Sequence, residues 1–279
     1  MGGQLALERS LAEAFHIAFD GVRLTLGRRE VFRGLSCGCQ RGQVTVVLGG
    51  SGAGKSTMLR LIGGLERPDA GTVRVAGDDV SLLPERQLFR VRERIGMLFQ
   101  GGALLDSMTI FDNVALPLRE HTRLSEAEIA ERVGQNLAAV GLPDVADLFP
   151  RHLSGGMSRR AALARSVVMN PEIVLCDEPF SGLDPLNVRR IEALLVDLCR
   201  RAGLTLVVTS HHLASSLRMA DRIIFLVDGR AVSGTPAELL QSPDRRIVDF
   251  LAAESQAEFD PSRQGDDPAD RPAAGGGAS

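Results

Sequence analysis

The stretch VVLGGSGAGKST at residues 46–57 places glycines and a lysine directly after a short apolar run. Glycine is entropically costly in a folded chain, so its use here indicates that the backbone itself must approach another group closely. The pattern Gly49-x-x-x-x-Gly54-Lys55-Ser56 is that of a phosphate-binding loop between a strand and a helix. Backbone N–H groups in such a loop surround an anion, and the following helix adds its positive dipole end.

This loop predicts a site for a nucleoside triphosphate. Lys55 is expected to reach the β- and γ-phosphates, and the Ser56 hydroxyl is expected to bind Mg²⁺. The residues expected to surround the nucleotide phosphates are Gly49, Gly50, Ser51, Gly52, Ala53, Gly54, Lys55, Ser56 and Thr57.

Two acidic residues provide what a triphosphate site also needs, a metal anchor and a group that activates water. The apolar run IVLC at 173–176 ends in Asp177 and Glu178. Asp177 is expected to hold Mg²⁺, and Glu178 is expected to polarise the attacking water. Two acids at a strand end are more often solvated than catalytic, but a phosphate loop in the same chain favours the catalytic interpretation.

Apolar runs alternate with helix-like stretches along the chain. Residues 43–49, 172–178, 204–210 and 222–229 are short, continuous and rich in Val, Ile and Leu, as buried parallel strands are. The helical stretches between them predict an α/β domain with a mainly parallel sheet. Residues 101–168 are predicted to form a helical insertion, in which Ser125 and Glu128 form a capping box.

Composition limits the possible classes of protein. The chain has 279 residues, of which 44% are hydrophobic, and a net charge of −3, so it lacks the overall basic charge that is typical of nucleic-acid-binding proteins. Its 4 cysteines form no zinc or disulfide pattern, which favours a reducing compartment. No segment approaches the roughly eighteen apolar residues of a membrane span. Any membrane role is therefore expected to come through a partner.

A second candidate anion site lies far from the phosphate loop in sequence. In LSGGM at 153–157, the Ser154 hydroxyl and the N–H groups of Gly155 and Gly156 stand at the start of a predicted helix. The alternative is an ordinary helix N-cap, which Ser154 also is chemically.

Together these motifs resemble those of the ATP-binding cassette (ABC) ATPases. GGSGAGKST is similar to their Walker A motif, IVLCDEP to their Walker B motif, and LSGGM to their LSGGQ signature. Gln100 in IGMLFQGG, Asp184 in SGLD and His211 in VVTSHH match the family's Q-loop, D-loop and switch histidine. All of them occur in the family's order, over about residues 20–240.

The resemblance implies a P-loop NTPase of the ABC type: a RecA-like, mainly parallel core sheet with an antiparallel β subdomain and a helical subdomain. The domain is predicted to span residues 15–252, with the helical subdomain at about 101–168. Residues 253–279 are rich in Pro, Gly, Asp and Ala and are predicted to be a disordered tail.

The resemblance also implies a head-to-tail homodimer. ATP would lie between the phosphate loop of one copy and Ser154 to Gly156 of the other. Gln100 would contact Mg²⁺ and the attacking water and would sense membrane partners. His211 would contact the γ-phosphate, and Asp184 would cross the dimer interface.

Two positions depart from the family pattern. An aromatic residue that stacks on adenine is usual before an N-terminal glycine, but Leu26 precedes Gly27 here. Leu26, or an arginine such as Arg28, is expected to cover the base instead. Met157 replaces the usual signature glutamine, while the phosphate donors are intact, so catalysis is expected to survive.

Within the family, residues 95–120, 153–185 and 244–251 resemble the ATPases of the Mla (maintenance of lipid asymmetry) phospholipid transporters. That resemblance implies a permease dimer, an MCE-type substrate-binding protein, a small STAS-domain subunit and a place on the cytoplasmic face of the bacterial inner membrane. The segment 244–251 either reaches the neighbouring ATPase or packs on its own subunit.

Three alternatives remain open at this point. The chain could energise an importer of another solute, or act as a nucleotide-gated scaffold without hydrolysis, which Glu178 and His211 disfavour. An ABC ATPase that acts on DNA or ribosomes is disfavoured because the chain has no long coiled coil, zinc insertion or second cassette. No nucleic-acid partner is expected.

Overall fold

The computed structural model describes residues 15–259, in which two sheets and a group of helices share two apolar cores. Residues 260–279, the larger part of the predicted tail, lie outside the described residues.

The central sheet is mainly parallel and has the strand order β10-β9-β3-β8-β7-β6. Only the β9–β10 pair is antiparallel, which confirms the predicted α/β class. The strands of this sheet are β3 (Val44–Leu48), β6 (Ile95–Leu98), β7 (Ile173–Asp177), β8 (Thr205–Thr209), β9 (Arg222–Val227) and β10 (Arg230–Gly234).

The central strands are buried on both faces, which explains their continuous apolar runs. Val46, Val174 and Val208 belong to one core, whereas their neighbours Val47 and Leu175 belong to the other. The period of two residues along a strand produces this division. Because β3, β7 and β8 run parallel, their carboxyl ends meet at one edge of the sheet.

A second, antiparallel sheet has the strand order β2-β1-β4-β5. Its apolar side chains, including Phe19 and Phe32, share a core with Met58 and Ile62 of the helix that follows the phosphate loop. The strands are β1 (Ile17–Leu26), β2 (Arg29–Cys39), β4 (Ala70–Val75) and β5 (Asp78–Asp79).

The helices lie between and after the strands. Ser125 and Glu128 form the predicted capping box at the start of α4 (Glu126–Ala139). A 3₁₀ helix spans Pro150–His152. The α-helices are α1 (Lys55–Ile62), α2 (Glu85–Arg92), α3 (Ile110–His121), α4 (Glu126–Ala139), α5 (Gly155–Val167), α6 (Pro185–Ala202), α7 (Leu213–Met219), α8 (Pro236–Leu240) and α9 (Arg245–Phe259). Helices α3, α4 and α5 fall within the predicted range 101–168. In residues 15–259, no helix has the length and apolar character needed to cross a bilayer.

The start of α9 packs on its own subunit, one of the two outcomes considered for residues 244–251. Ile247 is buried, and the ring of Phe250 meets the ring of Phe225 edge-on with centroids 4.9 Å apart. Helix α9 continues to Phe259. The predicted boundary between residues 252 and 253 therefore falls inside a helix, because the apolar contacts that begin α9 nucleate a helix that runs past them.

Candidate functional site

The phosphate loop at 49–54 joins β3 to α1 at the carboxyl edge of the central sheet. Gly49 and Gly54 have φ angles of +154° and +101°. A Cβ atom at Gly49 would lie 2.7 Å from the Leu226 carbonyl oxygen, and one at Gly54 would lie 2.9 Å from Phe32. These two glycines are therefore required by close packing within the chain, in addition to any approach of a ligand.

A cavity of about 420 Å³ opens beside this loop. It brings six of the nine predicted phosphate-contacting residues together with Gln100, Glu178 and His211, which come from three separate loops. Its lining consists of Leu26, Arg29, Val31, Ser51, Gly52, Gly54, Lys55, Ser56, Thr57, Gln100, Glu178 and His211.

Asp177, at the end of β7, accepts hydrogen bonds from two hydroxyl groups. Its Oδ1 accepts hydrogen bonds from Ser56 Oγ at 3.0 Å and from Thr209 Oγ1 at 2.7 Å. Thr209 Oγ1 in turn accepts a hydrogen bond from the Glu178 N–H at 3.0 Å. Thr209, at the end of β8, thus supports both acidic residues, and sequence reasoning did not identify it.

The backbone of Glu178 is held in the left-handed region, with φ of +46°. A non-glycine residue pays roughly 1–2 kcal/mol for this conformation. Such local strain is often found at functional sites, where the surrounding structure maintains it. The hydrogen bond from the Glu178 N–H to Thr209 is one contact that does so.

The Glu178 side chain is mostly buried and contacts both His211 and Lys55. Its Oε2 is 2.7 Å from His211 Nδ1, and its Oε1 is 3.6 Å from Lys55 Nζ. Burial alone would raise the pKa of Glu178, but the hydrogen bond and charge of His211, together with Lys55, outweigh it and lower the pKa. The carboxylate is therefore ionised at neutral pH, as an acceptor of a proton from water must be.

Serine and aspartate oxygens at this edge fit a magnesium ion. Mg²⁺ is usually held by one or two carboxylates together with substrate phosphates and water. The adjacent Ser56 hydroxyl and Asp177 carboxylate form such a minimal set. The described residues contain no group of three or more His, Cys, Asp or Glu side chains that could hold a metal ion. A magnesium ion held by Ser56, Asp177, phosphate and water does not require such a group.

Leu26 and Arg29 line the cavity, whereas Arg28 is not among its lining residues. That Leu26, or an arginine such as Arg28, covers the nucleobase stays a prediction. The Arg29 guanidinium donates a hydrogen bond to the Gly52 carbonyl oxygen at 2.7 Å, across the mouth of the phosphate loop.

Eight predicted site residues do not line this cavity within the described chain. They are Gly49, Gly50 and Ala53 of the phosphate loop, Asp177, and Ser154, Gly155, Gly156 and Asp184. Ser154 caps α5 by accepting a hydrogen bond from the Met157 N–H, and Asp184 caps α6. Gly156 faces α6 closely, since a Cβ atom there would lie 2.5 Å from Asn187 Oδ1. Ser154 and Gly155 remain exposed.

Comparison with known protein families finds one match. A family model described as "ABC transporter" matches residues 32–181. This interval contains the phosphate loop, Gln100, the Ser154 helix start and both strand-end acids.

Curated relatives cover most of the chain. "Intermembrane phospholipid transport system ATP-binding protein MlaF" of Haemophilus influenzae is 44% identical over 82% of this chain and 87% of its own length. The protein of the same name in Escherichia coli K12 is 42% identical over 88% and 91%. "Probable ribonucleotide transport ATP-binding protein mkl" of Mycobacterium tuberculosis H37Rv is 37% identical over 83% and 65%.

Solved structures share the fold. The dimeric structure of MJ0796, a bacterial ABC transporter cassette, superposes with a TM-score of 0.72 at 32% identity, covering 79% of this chain and 98% of that one. A post-hydrolysis dimer of the same cassette, bound to ADP and Pi, also has a TM-score of 0.72. The structure of cbiO1 from Clostridium perfringens, part of the complex cbiONQ, has a TM-score of 0.76 at 26% identity, covering 90% and 98%.

Proposed function

The chain belongs to the ABC transporter family of ATP-binding proteins, and on that premise we propose that it is the ATP-hydrolysing subunit of a bacterial intermembrane phospholipid transporter. The family resemblance predicted from the motifs is confirmed. The observation that carries the hydrolytic activity is the contact of Glu178 with His211 in the cavity beside the phosphate loop. The phospholipid substrate class comes from the relatives at 42% and 44% identity.

The site residues support the following mechanism. The phosphate loop and Lys55 hold the β- and γ-phosphates in place. Glu178 takes a proton from water, whose oxygen attacks the γ-phosphorus while the bond to the β-phosphate oxygen breaks and ADP leaves. Gln100 and His211 line the same cavity and would orient the water and the γ-phosphate. Mg²⁺, held by Ser56 and Asp177, would neutralise charge on the phosphates.

A second copy of the chain would complete the site. Ser154 and Gly155 are exposed at the start of α5 and lie outside the cavity of their own chain. A helix start with free N–H groups binds anions, so a head-to-tail partner would place it against the nucleotide. Asp184, at the neighbouring start of α6, would then lie at the dimer interface.

A separate apolar surface suits a membrane subunit. A cavity of about 540 Å³ is bordered by Phe99, Ala103 and Leu105, on both sides of Gln100 in sequence. Phe89 at its rim is 54% exposed. Exposed apolar patches of this kind mark protein contacts. We propose that a cytoplasmic element of the permease binds here, on the cytoplasmic face of the inner membrane.

The remaining partners are proposed from the resemblance to the Mla transporters alone. They are an MCE-type substrate-binding protein and a small STAS-domain subunit. A transporter for another solute is the second candidate, because the mycobacterial relative at 37% identity carries a ribonucleotide transport name.

The test of this function is a complex of the full chain with its membrane subunits, reconstituted in proteoliposomes. Glu178→Gln should lower kcat for ATP by about 10²–10⁴-fold, the usual contribution of a positioned base, and should stop the transfer of fluorescent phospholipid. Nucleotide should still bind, as measured by calorimetry. Lys55→Ala should abolish tight nucleotide binding.

Glu172→Gln is the matched control. Glu172 immediately precedes β7, at the end opposite Glu178, and pairs with Arg94 and Arg41. It should leave kcat unchanged. If Glu178→Gln hydrolyses ATP with the kcat of the wild type, Glu178 is not the general base. ATP turnover stimulated by a ribonucleotide, without phospholipid transfer, would favour the second candidate.

A further inference from the structure

Arg159 is a buried cation that the proposed mechanism does not use. It lies in the second turn of α5 and is only 5% exposed. Burial lowers the pKa of its guanidinium, yet arginine stays protonated in proteins. In the described part of the chain, no carboxylate forms an ion pair with it. Burying a charge that has no acidic partner is costly, and hydrogen bonds offset part of that cost.

Those hydrogen bonds go to the backbones of two loops at the nucleotide site. The guanidinium donates to the Phe99 carbonyl oxygen and to the Ser181 carbonyl oxygen, each at 3.2 Å. Phe99 directly precedes Gln100, which lines the nucleotide cavity. Ser181 lies between Glu178 and Asp184 in sequence.

The same helix carries the predicted anion site for the partner's nucleotide. Helix α5 begins at Gly155, and Gly156 packs against Asn187, whose side-chain amide donates a hydrogen bond to Asp184. Helix α5 therefore contacts the segment 178–187 at its first turn and again through Arg159. Arg159 also joins α5 to Phe99, which directly precedes Gln100.

We propose that Arg159 is a positioning residue that fixes the loops 99–102 and 178–184 against α5. Through these contacts it couples the nucleotide site of its own chain to the helix start that completes the site of the second copy. The proposal rests on the proposed function, since it requires ATP hydrolysis at two shared sites.

The test is Arg159→Met in the full chain, assembled with its membrane subunits. This variant removes the buried charge but leaves the carbonyl oxygens of Phe99 and Ser181 without this donor, so a lower melting temperature is expected beside the loss of activity. Its kcat should fall about 10- to 100-fold, because small errors in position at a catalytic site have effects of that size. The KM for ATP should stay within about twofold, and the Hill coefficient for ATP should fall towards one.

Arg159→Lys supplies the conservative comparison. One ammonium group lacks the two-pronged geometry of guanidinium and holds one of the two carbonyls well, so kcat should lie between that of the wild type and that of Arg159→Met. If Arg159→Met does not fold, the lysine variant and Arg159→Gln carry the measurement. Both should lower kcat with KM unchanged.

Arg160→Met is the matched control from the same helix. Arg160 also donates to two backbone carbonyls, those of Val140 and Gly141, each at 2.9 Å, but both lie after α4 and away from the nucleotide loops. It should lower the melting temperature without lowering kcat of the folded protein. An unchanged kcat and Hill coefficient in Arg159→Met, with an active wild type, would overturn the proposal. An inactive wild type would count against the proposed function itself.

Discussion

Thr209→Val should destabilise the protein and slow ATP hydrolysis, because it removes one hydroxyl from beneath both acidic residues. Thr209 is fully buried, donates to Asp177 Oδ1 at 2.7 Å and accepts from the Glu178 N–H at 3.0 Å. Valine keeps the shape but makes neither bond. A lost hydrogen bond to a charged group costs about 1.5–3 kcal/mol, and an unsatisfied buried N–H costs about 1–3 kcal/mol.

These two costs do not add fully. Asp177 is partly exposed and keeps its hydrogen bond from Ser56, which limits the first cost. We therefore expect a loss of roughly 2–4 kcal/mol in the free energy of unfolding. The Glu178 backbone loses a contact that holds its left-handed conformation, so its carboxylate shifts and kcat falls by about tenfold or more.

Urea unfolding and steady-state ATPase assays measure the two effects separately. Thr209→Ser is the matched control, because it keeps the hydroxyl and loses only a methyl group. It should retain most of the kcat. A Thr209→Val variant with normal kcat and reduced stability would show that the hydroxyl acts only in folding. Normal values for both would refute the reasoning altogether.

Two further predictions concern Arg29, which lines the nucleotide cavity, and His16, which contacts Thr205 at the start of β8. Arg29→Ala should raise the KM for ATP several-fold and leave the affinity for inorganic tripolyphosphate unchanged. The control variant, Arg28→Ala, should alter neither value. If Arg29→Ala weakens the binding of ATP and of tripolyphosphate equally, the effect lies in the phosphate loop. The pKa of His16 lies below its usual value of 6.5, because burial and the charge of Arg41 outweigh the opposing effect of Glu172. Its ring contacts Thr205. Folded His16 therefore resists protonation, so the free energy of unfolding should fall as pH drops below about 6.5. His16→Asn should flatten this decline in urea titrations between pH 7.5 and 5.5, and an unaltered slope would contradict the assignment.

The residues that line the phosphate end of the cavity were predictable from local pattern. Lys55, Ser56, Glu178 and His211 each follow an apolar run, and parallel strands bring their carboxyl ends to one edge. Once these runs are taken as neighbouring parallel strands, the side chains that follow them are expected to lie close together. The class of fold likewise followed from alternating apolar runs and helical stretches.

Thr209 and Arg29 could not be assigned in this way. The role of Thr209 depends on its register, in which it lies directly opposite Asp177 in the β7–β8 pair. Arg28 and Arg29 are adjacent at the turn between β1 and β2, where a shift of one residue reverses the direction of the side chain. Arg159 shares its helix with Arg160 and Arg165, and only the packed structure shows that Arg159 is the buried one.

The crowding around Gly49 and Gly54 bears on any attempt to transplant the loop into another scaffold. Two groups outside the loop pack against it: the Leu226 carbonyl oxygen against Gly49 and the Phe32 ring against Gly54. A graft of residues 49–57 alone would lack both contacts. Binding of the nucleotide would then have to order the loop, and this would lower the affinity. The portable unit is therefore the loop together with the strands that carry Phe32 and Leu226.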